Sequence, residues 1–234
     1  MCADAAELAR RAAGALVERV RARPTLAMAA PAGRTPRRMY GELRALHRAG
    51  ALDLSGLRVF GIDELCPPAP PDGYFWRQLR RELLGWAGIP RERCTRFEVD
   101  AADLAAMCAA YEAAIERAGG LDLVMMGLGP NGHIASNEPP CDFDGGTRPV
   151  RLLPDTVKYI LTDDVIQGPV SDTAVTLGIR TIMAAREVIL LVSGARKRAP
   201  LAALLQGDVT PAVPASILPR HARCLILADR DAVG

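Results

Sequence analysis

The chain alternates short apolar runs with longer stretches whose apolar positions recur every three or four residues. In residues 4–22, Leu8, Ala12, Leu16, Val17 and Val20 fall at helical spacing, and arginines fill the opposite face. TLAMAA at 25–30 is short and apolar, the pattern of a buried strand. It runs into Pro31-Ala32-Gly33-Arg34-Thr35-Pro36, a turn with proline placed to open a helix. That helix is predicted over 37–49, with Met39, Leu43 and Leu46 on one side. Further strands are predicted over 57–62, 121–126, 173–177, 187–192 and 224–228. Helices are predicted over 74–86, 103–118 and 195–205, with a helical turn at 181–185. CPPAPPDG at 66–73 carries four prolines, which exclude helix and central strand and leave a stiff surface loop. Residues 139–172 are rich in Pro, Gly and Asp and read as a segment wandering across the surface. No internal repeat appears. Apolar strands alternating with amphipathic helices predict an α/β sandwich with a mostly parallel sheet, in a single domain over residues 1–234.

Composition narrows the class. Half of the 234 residues are hydrophobic and the net charge is only +2, which excludes a disordered chain. No apolar run reaches the roughly 18 residues of a membrane span. The first twenty residues put acids and arginines through their apolar positions, so they read as an amphipathic helix and not as a signal peptide. A cytoplasmic protein with no membrane partner is expected. Cys2, Cys66, Cys94, Cys108, Cys141 and Cys224 contain no CxxC pair, and there are three histidines. No zinc spacing results, and the thiols are expected to be reduced. Of 29 basic residues only Lys158 and Lys197 are lysines. The arginines lie scattered among acids, with no basic stripe or interleaved aromatics, so no nucleic-acid partner is expected.

Four polar clusters follow the carboxyl ends of predicted strands, where open α/β sheets bind ligands. Gly33-Arg34-Thr35 puts backbone N–H groups and a hydroxyl at a helix start, a natural anion site, although a plain helix start reads the same way. Asp63-Glu64 follows the VFGI strand, and Asp63 fixes a carboxylate at its end, as a general base or as a cap. Asn131-Gly132-His133 sets an imidazole in a glycine-flanked turn, five residues before Glu138, and an acid near an imidazole orients it and favours its protonated form. Ser193 to Lys197 puts a cation in the first turn of a helix, against the helix dipole, which an anionic ligand would justify. GLGPNG at 127–132 is not a dinucleotide fingerprint, and no nucleophile elbow, HExxH or Walker lysine is present.

LDLVMMGLGPNGHIASNEP (121–139) resembles the signature of the glucosamine-6-phosphate deaminase family, relatives of 6-phosphogluconolactonase. AGRTP (32–36) is similar to the family's phosphate loop and FGIDEL (60–65) to its strand-end Asp-Glu, while 173–197 and Pro214-Ala215-Ser216 fit both relatives. The resemblance implies a three-layer α/β/α fold and a sugar-phosphate chemistry that needs no metal or other cofactor. His133 would be the ring-opening acid/base, Glu138 its partner and Asn131 its support. Asp63 would shuttle the proton between C2 and C1, and Gly33, Thr35 and Lys197 would hold phosphate. Asn131, Ile134 and Asn137-Glu138-Pro139 are deaminase-like; Pro130 and Ala135-Ser136 are lactonase-like. Two departures stand out. Arg34 replaces a small residue of the phosphate loop, and the deaminases' Asp-Thr-Arg reads Asp155-Thr156-Val157-Lys158, leaving Arg34 or Lys158 to replace the missing charge. The N-terminal strand and C-terminal extension of long deaminases are absent, so a monomer or small homo-oligomer is expected. The expected activity is an aldose–ketose isomerase/deaminase on an aminosugar phosphate. The alternatives are hydrolysis of a sugar-phosphate lactone and a sugar-phosphate sensor without catalysis.

Overall fold

The computed structural model describes residues 1–70, 72–164 and 166–234. The expected proline-rich loop at 66–73 and the segment 139–172 each include one residue, 71 and 165, outside that set.

The elements follow the apolar pattern. α1 (Ala5–Ala22) is capped by Asp4, whose carboxylate accepts from the Glu7 N–H, and leads into β1 (Ala27–Ala30) and α2 (Arg34–Arg48). β2 (Arg58–Gly61) is followed at once by β3 (Asp63–Leu65), and α3 (Tyr74–Leu79) widens into a π turn at Arg80–Leu84 where one straight helix was expected. The two-residue β4 (Cys94–Thr95) precedes α4 (Leu104–Arg117), β5 (Leu123–Gly127), β6 (Arg148–Arg151) and α5 (Pro154–Ile160). β7 (Thr173–Thr176), α6 (Ile179–Met183), β8 (Val188–Val192), α7 (Arg198–Leu205), β9 (Cys224–Ala228) and α8 (Arg230–Val233) complete the chain. None of the described helices is long and apolar enough to cross a membrane.

The central sheet has six strands in the order β4-β2-β1-β5-β8-β9, and every neighbouring pair is parallel. Its strands are covered on both faces, which is why they read as continuous apolar runs. The strand alternation splits them between two cores. Met28, Met125, Ile189 and Leu191 face α1 and α2, whereas Ala29, Val124, Met126, Leu190 and Val192 face the side of α4, α6 and α7. This is the expected three-layer α/β/α sandwich. Leu46, expected on the inner side of α2, is 37% exposed, and Tyr40 takes its place in the core.

Two expectations are corrected. Asp63-Glu64 is more than a strand end: with Leu65 it forms β3 of a second, antiparallel sheet, β3-β7-β6. Among the described residues of 139–172, two stretches are regular, β6 and α5, and Pro154 opens α5 at its first turn. Proline and aspartate, which argued against regular structure there, are start signals for this short helix.

Alternation along β3 separates its two acids. Asp63 turns to the carboxyl edge of the central sheet, and Glu64 turns back and is buried. Glu64 accepts from the N–H groups of Leu65, Phe75 and Trp76, at 3.0, 3.1 and 2.7 Å, and so caps α3. Gly73, just before α3, has φ +73°, and a Cβ there would collide with the Glu64 carboxyl group. Gly73→Ala is expected to cost about 2 kcal/mol, from left-handed backbone and displaced cap together. Thermal denaturation followed by circular dichroism checks this, with Tm falling by about 4–8 °C.

Candidate active site

The carboxyl ends of β1, β2, β5 and β8 open into one cleft of about 890 Å³, its mouth included. It is lined by Gly33, Arg34 and Thr35 after β1, by Asp63 after β2, by Gly127, Gly129 and His133 after β5, and by Lys197 after β8. All four polar clusters therefore converge. Thr156, Tyr159, Ile160 and Asp163 of α5 and its following turn line the roof.

The imidazole is built by a chain of partners. Asn131 Oδ1 accepts from the His133 backbone N–H at 3.2 Å and lies 2.7 Å from His133 Nδ1. Asn131 Nδ2 donates to Glu138 Oε2 at 2.7 Å, and that oxygen is 3.7 Å from Nδ1. An amide oxygen only accepts, so Nδ1 carries the proton and Nε2 is the basic nitrogen. Burial of Glu138 opposes its charge, but His133, Thr156 and Asn131 outweigh it and hold the carboxyl below its usual range. Glu138 is thus an anion behind the imidazole, and it and Asn131 stand outside the cleft lining. Gly129 is required beside them, because a Cβ at that position would run into the His133 ring.

Asp63 faces the same cleft from β3. Its Oδ2 accepts from Ser136 Oγ at 2.7 Å. Burial lifts its carboxyl to about 6, against the lowering effects of the Ser136 hydroxyl and the His133 charge. A carboxylate poised near neutral pH suits proton transfer.

The anion end lies opposite. α2 begins at Arg34 without a side-chain cap, so its N-terminus with the Thr35 hydroxyl borders the cleft. Gly33, at φ +97°, is clamped through its backbone by the Gln78 amide, at 2.9 Å to its N–H and 2.8 Å to its carbonyl. The Lys197 ammonium is buried and pulled down to about 8 by desolvation, then by Arg34 and Arg196. It sits 4.7 Å from the centre of the Tyr159 ring, and the Arg34 guanidinium carbon sits 4.4 Å from the same centre. Arg34 also donates to Thr162 Oγ1 at 2.9 Å and pairs with Asp163 at 3.7 Å. The turn carrying Lys197 is held by Asp229, which accepts from the Ser193 hydroxyl and the Gly194 N–H.

Lys158 is not brought to the cleft. It is exposed and pairs with Asp155 at 3.0 Å. Helical spacing turns residues 156, 159, 160 and 163 inward and residues 155 and 158 outward. Val157, at the position of the family's arginine, packs in a small cluster with Leu65, Tyr74 and Leu152. Sequence reasoning missed Gln78, Ser136, Thr156 and Tyr159. The inward spacing after Pro154 was the available signal for the last two. Nothing in the linear pattern marks Gln78 or Ser136, which act across the fold. Among the described residues, no group of three His, Cys, Asp or Glu side chains is placed to hold a metal ion.

The sequence profile of the family described as glucosamine-6-phosphate isomerases/6-phosphogluconolactonase matches residues 3–226. The chain is 34% identical to the glucosamine-6-phosphate deaminase of Shouchella clausii over 97% of its own length and 92% of that protein. Its structure is similar to that of a monomeric glucosamine-6-phosphate deaminase, with a TM-score of 0.91 at 28% identity, covering 99% of this chain and 96% of that one. It is also similar to 6-phosphogluconolactonase from Trypanosoma brucei, with a TM-score of 0.77 at 25% identity, covering 99% and 95%. The chain therefore belongs to the glucosamine-6-phosphate isomerase/6-phosphogluconolactonase family.

Proposed function

We propose that this protein is an aldose–ketose isomerase/deaminase that converts an aminosugar phosphate, glucosamine 6-phosphate or an analogue, to a ketose phosphate and ammonia. The observation that carries this reading is the His133–Asn131–Glu138 chain facing Asp63 across one cleft. Lactone hydrolysis has no obvious need for a buried anion behind the imidazole.

The roles follow from chemistry. Lys197, Thr35 and the N-terminus of α2 hold the phosphate, with Arg34 supplying the second cation beside it. His133 Nε2 takes the proton from the anomeric hydroxyl and returns it to the ring oxygen as the C1–O5 bond breaks. Glu138 and Asn131 keep the ring oriented and stabilise the imidazolium formed on the way. Asp63 removes the proton from C2 of the open-chain aldehyde while O1 takes up a proton lost by the C2 ammonium, leaving an enol-amine, and Asp63 then delivers its proton to C1. The product is a ketose imine. Water adds to it, the C2–N bond breaks, and ammonia leaves with the ketose phosphate. We further infer a monomer or small homo-oligomer in the cytoplasm, in keeping with the monomeric deaminase it resembles.

The direct test is ammonia release from glucosamine 6-phosphate, with deuterium entry at C1 or C2 followed by NMR in heavy water. Opening of a sugar-phosphate lactone without such exchange would favour the hydrolase, and tight binding without turnover would favour the sensor. Asp63→Asn is expected to lower kcat by about 10²–10⁴-fold. Glu138→Gln should lower it less and leave KM near the wild-type value. Gly129→Ala, which displaces the imidazole, should cost about a hundredfold in kcat without unfolding the protein.

The pH profile has a defined sign. Asp63 must be ionised to act as base, so kcat/KM rises as pH passes about 6. Lys197 must be charged to hold phosphate, so kcat/KM falls as pH passes about 8. Lys197→Met should remove the alkaline limb and raise KM by about 10–100-fold, the loss of one charged hydrogen bond.

A further inference from the structure

Ser136 is buried beside the proton shuttle, and the proposed reaction gives it no role. Its place is fixed from three sides. Ala135, immediately before it, has φ +50°, a left-handed conformation that aims the following residue. The Ser136 N–H donates to Thr176 Oγ1 at 3.1 Å, and Thr176 Oγ1 in turn donates to the Leu177 carbonyl at 3.2 Å. Thr176 lies opposite Asp63 in the β3–β7 ladder, so the residue that holds Ser136 is registered to the residue Ser136 touches. The buried Asn137 then ties the same turn to the carbonyls of Ile134 and Leu177, at 3.0 and 2.8 Å.

We infer that Ser136 is a positioning residue for the shuttle, whose hydroxyl occupies Asp63 Oδ2 and so makes Oδ1 the oxygen that carries the proton between C2 and C1. This rests on the deaminase reading. A carboxylate can only accept, so the Ser136 hydroxyl hydrogen points at Oδ2 whenever Asp63 is ionised. A proton taken from C2 then belongs on Oδ1, because Oδ2 already receives one. Shuttling on one face by one oxygen needs no rotation of the carboxyl group between its two steps. The same bond favours the ionised form and works against the burial that raises the Asp63 carboxyl to about 6. The titratable group facing Asp63 is His133 on the turn after β5, and Glu64, its neighbour on β3, points to the opposite face of that strand. β7 contributes the uncharged Thr176, and Arg34, Asp163 and Lys197 line the same cleft farther along.

The test titrates Asp63 by carbon-13 NMR of its side-chain carboxyl group, assigned by its loss in Asp63→Asn. Wild-type, Ser136→Ala and Ser136→Thr proteins are compared. We expect the Ala variant to titrate about 1 pH unit higher than wild type and the Thr variant, which keeps the hydroxyl, to return towards it. Ser136→Cys, with a weaker donor of similar shape, replaces the Ala variant if that fails to fold, and should shift in the same direction. In turnover, Ser136→Ala should lower kcat about 10–100-fold, with little change in KM. Its acid limb should move to higher pH, and less of the C2 proton should reach C1 in heavy water. An unchanged Asp63 titration in the Ala or Cys variant overturns the inference, as does a lower kcat with unchanged pH profile and unchanged C2-to-C1 transfer. The NMR titration needs no turnover, so a wild-type protein that releases no ammonia would refute the deaminase reading and leave the Ser136 contact separately decided.

Discussion

Two adjacent carboxylates on one short strand, Asp63 half-buried at the cleft and Glu64 buried, each need their own partners. That constraint organises the cleft. Strand geometry sends Asp63 and Glu64 to opposite faces, so neither can satisfy the other. A buried carboxylate without partners costs several kcal/mol, so the surrounding elements have to supply donors. For Glu64 these are three backbone N–H groups, two of them at the start of α3. For Asp63 the donor is the Ser136 hydroxyl, on the turn that also carries His133.

Each solution carries a second consequence. Capping by Glu64 fixes α3, and α3 presents Gln78, whose amide clamps both polar groups of the Gly33 backbone. The placement of the loop after β1 is therefore linked, through one helix, to an acid that stands outside the cleft lining. On the other face, Ser136 ties the turn that also carries His133 to two strands of the second sheet, through its hydroxyl to Asp63 and its N–H to Thr176. The Gly33 loop and the turn of residues 133–136 are thus both tied to one dipeptide and its partners.

Electrostatics in the cleft divides along the same line. The end with His133, Asp63 and Glu138 has acids around an imidazole, and burial sets Asp63 near neutrality. The opposite end gathers Arg34 and Lys197 about one aromatic ring, and burial together with the neighbouring arginines weakens the hold of Lys197 on its proton. A dianionic group bound there would restore that hold, because it supplies the charge the site lacks. A substrate with phosphate at one end and its reacting carbons at the other fits this polarity.

Much of this was legible in the linear chain. The apolar runs gave the parallel strands, since strands buried on both faces have no polar alternate. The clusters at their carboxyl ends gave Gly33, Thr35, Asp63, His133 and Lys197, because parallel strands all open towards one edge. What the chain did not determine was orientation and partnership. Asp63 was legible as the strand-end carboxylate, but that its neighbour Glu64 turns back to cap α3 follows only from the pleat of β3. Lys158 looked as promising as Arg34 until the rotation of α5 turned it to solvent. Ser136, Gln78 and Tyr159 act through contacts made across the fold, and no local period records a partner dozens of residues away. Sequence patterning fixes which residues stand at the edge of the sheet; only tertiary packing fixes which of them face the cleft and what holds them there, because hydrogen bonds and burial depend on three-dimensional neighbours and not on spacing along the chain.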